Sequence, residues 1–336
     1  MPRPTTARLL KTLAAAIGSE SAHMELKWMQ QALASAGSGR GPAVPDLPTM
    51  VARRATGEPL QYILGTQPFG PLHLRCRAPV LIPRPETEDW ALRLSDAVAP
   101  SPSQPVRALD LCTGSGCIPL LLCARWPAGS VRAVAVDHSR AALQLAADNA
   151  DACGVPVRLL ERSDEDEDED KGDAEGSDVR ELEDEAWAGN DGQNTNANAN
   201  TLTLLGADVL DPARLRARLP LRRFDVVTAN PPYITRAAYA ALPPSVRAFE
   251  DRTALLGDPP GAREDGGLTF YRALARLFTL PGLLAPRARV ALEVGEGQAR
   301  DVADIVSTEG GLGEVEVWAD PWGKERVVVA RAGVDV

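Results

Sequence analysis

The chain has 336 residues, enough for two domains or one large one. Its net charge of −10 is uneven: 16 acidic and 3 basic residues between Glu161 and Asp191 put −13 there and leave +3 elsewhere. The near-neutral remainder disfavours a strongly basic nucleic-acid binder, and no apolar run approaches the ~18 residues that a membrane span needs. The five cysteines form no C-x-x-C pair and read as reduced thiols. The three histidines are scattered, without H-E-x-x-H spacing, which disfavours zinc or a His-based triad; no metal is expected.

Residues 1–57 read as a helical domain. Leu9, Leu10, Leu13 and Ile17 recur at helix spacing, as do Leu26, Met29 and Leu33. Arg3, Arg8 and Lys11 precede the first acid, Glu20; this suits a mitochondrial presequence and an ordinary first helix equally. Gly37 to Pro48 reads as a linker, and a short helix runs from about Leu47 to Thr56. Residues 58–85 form a hairpin and linker, with strands Tyr62–Leu64 and Leu72–Leu74 around the turn Gln67–Pro71.

Residues 86–336 alternate strands and helices. Strands are expected at Val106–Leu111, Val131–Asp137, Phe224–Ala229 and Arg289–Val294, with helices at Cys117–Trp126, Ala141–Ala152 and Tyr271–Leu280. Val315–Trp318 and Arg326–Ala330 suit a terminal antiparallel pair. The pattern predicts an α/β, Rossmann-like fold with a mostly parallel, doubly wound sheet. Residues 162–201, an acidic run followed by an Asn-rich stretch, have nothing to fold around and read as a disordered insertion.

Asp110-Leu-Cys112-Thr113-Gly114-Ser115-Gly116 follows a strand and opens a helix. Glycines there let a ligand approach the backbone. The third glycine of a nicotinamide fingerprint is missing, and Asp110 would repel a pyrophosphate. A cationic nucleoside fits better, and S-adenosyl-L-methionine carries a sulfonium and an ammonium. Asp137, 21 residues beyond Gly116 at the next strand end, suits two ribose hydroxyls.

Asn230-Pro231-Pro232-Tyr233 follows the strand ending at Ala229. The prolines end the strand, stiffen the loop and offer carbonyls without N–H groups. For a planar –NH2 substrate, the Asn230 side-chain oxygen accepts one N–H and the Pro231 carbonyl the other. Such a nitrogen is a poor nucleophile, so the site contributes orientation and charge accommodation. Tyr233 can stack on the planar group. The motif does not choose between a glutamine amide and an adenine amine.

These residues resemble the HemK/PrmC-type glutamine N-methyltransferases of peptide-chain release factors. Gly57-Glu-Pro-Leu-Gln-Tyr-Ile-Leu-Gly65 and Leu81-Ile-Pro-Arg84-Pro-Glu86-Thr87-Glu88 carry the resemblance. Adenine methyltransferases share the Asn-Pro-Pro-Tyr type of motif but not these segments. Further matches include Asn149, Phe249-Glu250, Gly266-Gly267, Tyr271, Glu293-Val294-Gly295 with Gln298, and Gly323 to Arg326.

The resemblance implies a small N-terminal helical domain, a hairpin and a seven-stranded class I methyltransferase domain. It implies methyl transfer to the glutamine of a Gly-Gly-Gln loop in a class I release factor. Cys112 to Gly116 and Asp137 would bind S-adenosyl-L-methionine, with Asp110 beside its cation. Asn230 to Tyr233 would hold the glutamine, and Asn230 would also face the cofactor methyl. Cys112 stands where bacterial members commonly have glycine. The third-strand acid is Asp208 or Asp164, with Asp208 preferred and Val209 at the adenine. Arg84 either pairs with Glu86 or Glu88, or helps bind the cofactor carboxylate. Glu293 is expected near the site, and His138 simply exposed. The implied partner is a release factor, with no membrane, nucleic acid met only through that factor, and a monomeric enzyme. The compartment reads as mitochondrial, with the cytoplasm as the alternative. The rivals are an adenine-amine nucleic-acid methyltransferase and a non-catalytic cofactor-binding adaptor.

Overall fold

The computed structural model describes residues 4–37, 43–160 and 198–334. Helices α1 (Thr6–Ile17) and α2 (Ser19–Gly37) are separated at Gly18, whose φ of +85° breaks the helical run. Helix α3 (Leu47–Ala55) is capped by the Asp46 carboxylate, which accepts the Thr49 N–H. Helix α4 (Leu60–Leu64) closes the group. Leu13, Met29, Met50 and Ile63 share one core, and Arg54 of α3 makes a two-point ion pair with Glu25 of α2.

The strand expected at Tyr62–Leu64 is a turn of helix instead. In so short an apolar run periodicity cannot separate the two forms. Leu60 and Ile63 face the helical core, while Tyr62 packs with Cys76 and Ile82 and donates its hydroxyl to the Val80 carbonyl at 2.7 Å. The hairpin is β1 (Thr66–Phe69) and β2 (Leu72–Arg75), and helix α5 (Pro85–Asp96) follows it.

The sheet-forming elements then run β3 (Val106–Leu111), α6 (Cys117–Arg125), β4 (Val131–Asp137), α7 (Arg140–Ala152), β5 (Val157–Leu160), β6 (Thr201–Gly206), α8 (Pro212–Arg218) and β7 (Phe224–Ala229). They continue with α9 (Arg236–Ala241), α10 (Pro244–Phe249), α11 (Thr269–Phe278), β8 (Leu284–Glu293), α12 (Ala299–Thr308), β9 (Gly313–Ala319) and β10 (Glu325–Arg331). The order is β5-β6-β4-β3-β7-β8-β10-β9, parallel up to β8 and antiparallel through β10 and β9.

Among the described residues the sheet has eight strands, against the seven expected. Val157–Leu160 adds a four-residue parallel edge beside β6, and β6 takes the expected place next to β4. The insertion also ends earlier than read. Asn200 is buried: its Oδ1 accepts the N–H groups of Ser130 and Val131, and its Nδ2 donates to the Cys123 and Trp126 carbonyls. Thr201 opens β6. Asp164 and the rest of residues 161–197 lie outside the described residues.

Alternate strand residues face opposite layers. Leu109, Leu111, Val134 and Val136 pack with Phe270, Leu274 and Val302 from α11 and α12. Ala108, Ala133, Ala135 and Leu204 pack with Trp90, Leu121 and Ala146 from α5, α6 and α7. Each fully buried large apolar side chain contributes about 1.5–3 kcal/mol, and both faces are lined this way. Among the described residues no helix is long and apolar enough to cross a membrane.

Candidate active site

β3 lies between β4 and β7, so successive strands are laid down on opposite sides of it. Open parallel sheets bind ligands at the strand carboxyl ends at such a switch point. Three features meet there: Cys112–Gly116 after β3, Asp137 closing β4, and Asn230–Tyr233 after β7.

The glycine-rich turn is left-handed at Cys112 (φ +60°), Gly114 (φ +56°) and Gly116 (φ +78°). A Cβ on Gly116 would sit 3.2 Å from the Ala146 Cβ, so glycine lets α7 pack against the turn. The Asp137 carboxylate is pinned by two backbone donors: Gly114 N–H reaches Oδ2 at 2.9 Å and Ser139 N–H reaches Oδ1 at 2.8 Å. Asn149 donates to the Ser115 carbonyl at 2.9 Å and accepts the Arg75 N–H, tying the turn to the hairpin.

Two adjoining cavities open here. The larger, about 640 Å³, is lined by Val80, Asp137, Val209, Pro232 and Phe270 among others. The smaller, about 360 Å³, is lined by Arg84, Thr87, Thr113, Ser115 and Ile118 among others. Cys112, Gly114 and Asn230 line both.

Asp110 is buried below the turn. Its Oδ1 accepts the Thr228 hydroxyl at 2.6 Å, whereas its Oδ2 and the Thr113 hydroxyl are buried without a hydrogen-bond partner. Burial pushes the Asp110 carboxyl up to about 7, against the pull of the nearby Thr113 and Thr228 hydroxyls. One carboxylate oxygen of Asp110 is left without a partner behind Thr113, which lines the smaller cavity, an arrangement that suits a ligand bringing a cation. The larger cavity fits a nucleoside, with the Asp137 carboxylate for hydroxyls and Val80, Val209 and Phe270 for a flat apolar ring.

The Asn230 loop is held from two sides. Asn230 Nδ2 donates to Thr87 Oγ1 at 3.3 Å, and that hydroxyl donates to Glu293 Oε2 at 2.6 Å. Behind the loop, Gln298 Nε2 donates to the Tyr233 carbonyl at 3.1 Å and the Gly266 carbonyl at 2.8 Å. A Cβ on Gly267 would lie 2.3 Å from the Tyr233 carbonyl oxygen, so only glycine lets these segments meet. Asp258 fixes that approach by accepting N–H groups from Asp265 and Gly267 and the Thr269 hydroxyl. Pro231 and Pro232 are buried and Tyr233 is half-buried. Burial drives the Tyr233 phenol well above its ordinary range, with the Glu293 carboxylate adding to the shift.

The structure departs from the sequence reading at three residues. Asp208 is exposed, accepts the Leu210 N–H, and lies outside the lining of both cavities, whereas Val209 is buried in the larger one. The partner of Arg84 is Glu250, not Glu86 or Glu88. His138 is half-exposed as expected, yet it lines the larger cavity, with Nδ1 3.8 Å from Asp137 Oδ1. Thr87, Asp251 and Thr253 also line the cavities without having been assigned a place there. The Pro-Arg-Pro-Glu-Thr-Glu segment was the available signal for Thr87; nothing marked the other two. Among the described residues no group of three His, Cys, Asp or Glu side chains could hold a metal ion.

The sheet, the glycine-rich turn and the two cavities define an S-adenosyl-L-methionine-dependent methyltransferase of the class I fold. No protein-family model matches the chain. It is 35% identical over 281 residues to the release factor glutamine methyltransferase of Cereibacter sphaeroides, covering 84% of this chain and 77% of that one. To the protein of the same name from Rhodospirillum rubrum it is 35% identical over 285 residues, 85% of this chain and 68% of that one. Among solved structures, the release factor-specific protein-(glutamine-N5) methyltransferase of Alicyclobacillus acidocaldarius is 25% identical, covering 75% of this chain and 94% of that one at a TM-score of 0.36. The chain belongs to the release factor glutamine methyltransferase family.

Proposed function

We propose that the chain methylates the side-chain amide nitrogen of the glutamine in the Gly-Gly-Gln loop of a class I peptide-chain release factor. One observation carries this beyond family membership. Asn230, at the head of the Pro-Pro loop, lines both cavities and so stands where donor and acceptor meet.

S-adenosyl-L-methionine supplies the electrophilic methyl group. Asp137 holds ribose hydroxyls, Val209 borders the base, and Asp110 with Thr113 faces the cation. Arg84, which lines the smaller cavity, would meet the cofactor carboxylate, and the turn from Cys112 to Gly116 would present backbone to the ligand. The Asn230 side-chain oxygen and the Pro231 carbonyl accept the two N–H groups of the substrate amide. Pro232 keeps the loop free of competing donors, and Tyr233 stacks on the amide plane. Two fixed acceptors hold the weakly nucleophilic nitrogen in register, so orientation lowers the barrier. The positive charge that develops on nitrogen is met by those oxygens, and the proton leaves after methyl transfer.

The test is a labelled methyl-transfer assay offering release factor, its Gly-Gly-Ala variant and DNA side by side. Label on the Gly-Gly-Gln factor alone supports the reading; label on DNA alone, or on the Gly-Gly-Ala variant, defeats it.

As part of the same reading we place the enzyme in the mitochondrion, acting as a monomer. Arg3, Arg8 and Lys11 with no acid before Glu20 support that address. Leu9 and Leu13 of α1 sit in the helical core, so the reading keeps this helix after import. Import assays on the full chain test it, and a protein left outside the organelle argues against it.

A further inference from the structure

We infer that Thr87 and Glu293 set which way round the Asn230 carboxamide points, which makes them positioning residues for methyl transfer. The inference rests on the function proposed above. A carboxamide fits its slot either way up, because its oxygen and nitrogen are nearly the same size. Only one way offers an acceptor to the substrate. With Oδ1 forward, Asn230 accepts an amide N–H; with Nδ2 forward, two NH2 groups face each other and the clamp is lost.

The polarity is imposed from behind. Glu293 ends β8 and is buried. Its Oε2 receives the Thr87 hydroxyl at 2.6 Å and the Trp90 indole N–H at 2.8 Å, and its Oε1 faces the Tyr233 hydroxyl at 3.5 Å. An indole nitrogen can only donate, so this arrangement calls for an acceptor, the carboxylate. Burial raises the Glu293 carboxyl above its ordinary range, and the Thr87 and Trp90 bonds pull it back. Thr87 has one hydroxyl proton, and Glu293 takes it. The Thr87 oxygen then presents only lone pairs to Asn230, at 3.3 Å. Nδ2 must turn towards it, and Oδ1 towards the cavities. The direction of donation runs from Asn230 to Thr87 to Glu293, across 206 residues of sequence between the last two.

Leucine at 293 would remove the acceptor while keeping much of the volume. It offers no oxygen to Thr87 or Trp90, whereas a glutamine carbonyl in the place of Oε2 could still accept from both. Freed from the carboxylate, the Thr87 proton can turn to Asn230 and draw its Oδ1 backwards.

The experiment compares Thr87→Val, Thr87→Ser and Glu293→Leu with the wild-type full chain. Steady-state methylation of release factor, S-adenosyl-L-methionine binding by calorimetry, and exchange of the Asn230 side-chain amide protons by 15N NMR are measured. The NMR signal is assigned by its loss in Asn230→Asp. Thr87→Val and Glu293→Leu should lower kcat by about tenfold or more, with the cofactor Kd within about threefold of wild type. Thr87→Ser should restore most of the rate, because it keeps the hydroxyl. Thr87→Val should speed amide exchange and Thr87→Ser should not. Wild-type kcat in Thr87→Val, serine as poor as valine, or unchanged exchange in Thr87→Val would each overturn the inference. A wild-type chain that leaves release factor unlabelled overturns the functional reading instead, and the exchange measurement still decides the orientation.

Discussion

Glu250, its side chain only 1% exposed, turns both carboxylate oxygens to Nη2 of Arg84, at 2.7 and 2.6 Å. Close by, the Asp251 N–H donates to the Pro79 carbonyl at 2.7 Å. The segments 79–84 and 250–251 are thereby latched together, and residues from both line the cavities. Removing one partner of a buried pair strands the other charge. Arg84→Ala should therefore destabilise the fold by about 3 kcal/mol in urea denaturation and weaken cofactor binding. Arg84→Met with Glu250→Leu should recover most of the stability without recovering the binding. Equal stability of Arg84→Ala and wild type would show that the latch carries no weight.

Asn230→Ala should lose turnover, because the acceptor for the substrate amide is gone. Cofactor affinity should stay within about threefold, since Asn230 is one of many residues around the cavities. Single-turnover methylation beside calorimetry separates the two effects. Full activity in this variant would refute the amide clamp.

Gly267→Ala places a methyl group 2.3 Å from the Tyr233 carbonyl oxygen and 2.9 Å from Gln298 Nε2, at a backbone φ of +79°. The loop must move. The expected result is a loss of about 2 kcal/mol or more in stability and a lower kcat, with cofactor binding largely kept. Thermal unfolding and steady-state rates check it.

Cys112 sits at φ +60°, a conformation that most side chains avoid. Cys112→Gly should change stability by less than about 1 kcal/mol, because relief of the left-handed strain offsets the added chain entropy. Cys112→Val should cost about 2 kcal/mol, since a branched Cβ suits this region least. If valine is tolerated as well as glycine in urea titrations, the turn is less constrained than its φ implies.

Asp110 supplies a pH dependence. Its ordinary value of 3.8 is raised to about 7, so between those limits the folded chain holds a proton that the unfolded chain has released. Its contribution to stability accordingly falls as pH rises from about 4 to 7 and is flat above. A cation beside it favours the ionised form. Cofactor affinity should rise with pH up to about 7, by at most about tenfold per unit, and level off. Asp110→Asn should flatten the profile. Calorimetry between pH 5.5 and 8 reads both, and a wild-type affinity independent of pH would remove Asp110 from the cofactor's cation.

The features legible in the sequence were those written in adjacent residues. The strand–turn–helix rhythm reappears, and the glycine-rich turn, Asp137 at its strand end, and Asn230 and Pro232 of the Asn-Pro-Pro-Tyr loop line one pair of cavities. What escaped depends on chain segments far apart. Glu86 and Glu88, one of the two readings for Arg84, lie in the first turn of α5, while its ion-pair partner arrives 166 residues later. The Thr87–Glu293 bond has the same character. Asp208 is exposed and bonds its own backbone at Leu210, which strand-end acids do as readily as they bond ligands.

Asn200 spends all of its side-chain hydrogen bonds before β6 begins, two accepted from the start of β4 and two donated to the end of α6. The register of β6 is thus set locally, one residue ahead of the strand, instead of being inherited from the chain upstream. Lengthening or shortening the connection from β5 changes what precedes Asn200 and leaves Leu205, Val209 and the cavity wall in place. In evolutionary terms, this crossover is a point where the gene can gain or lose codons without the chemistry being retuned.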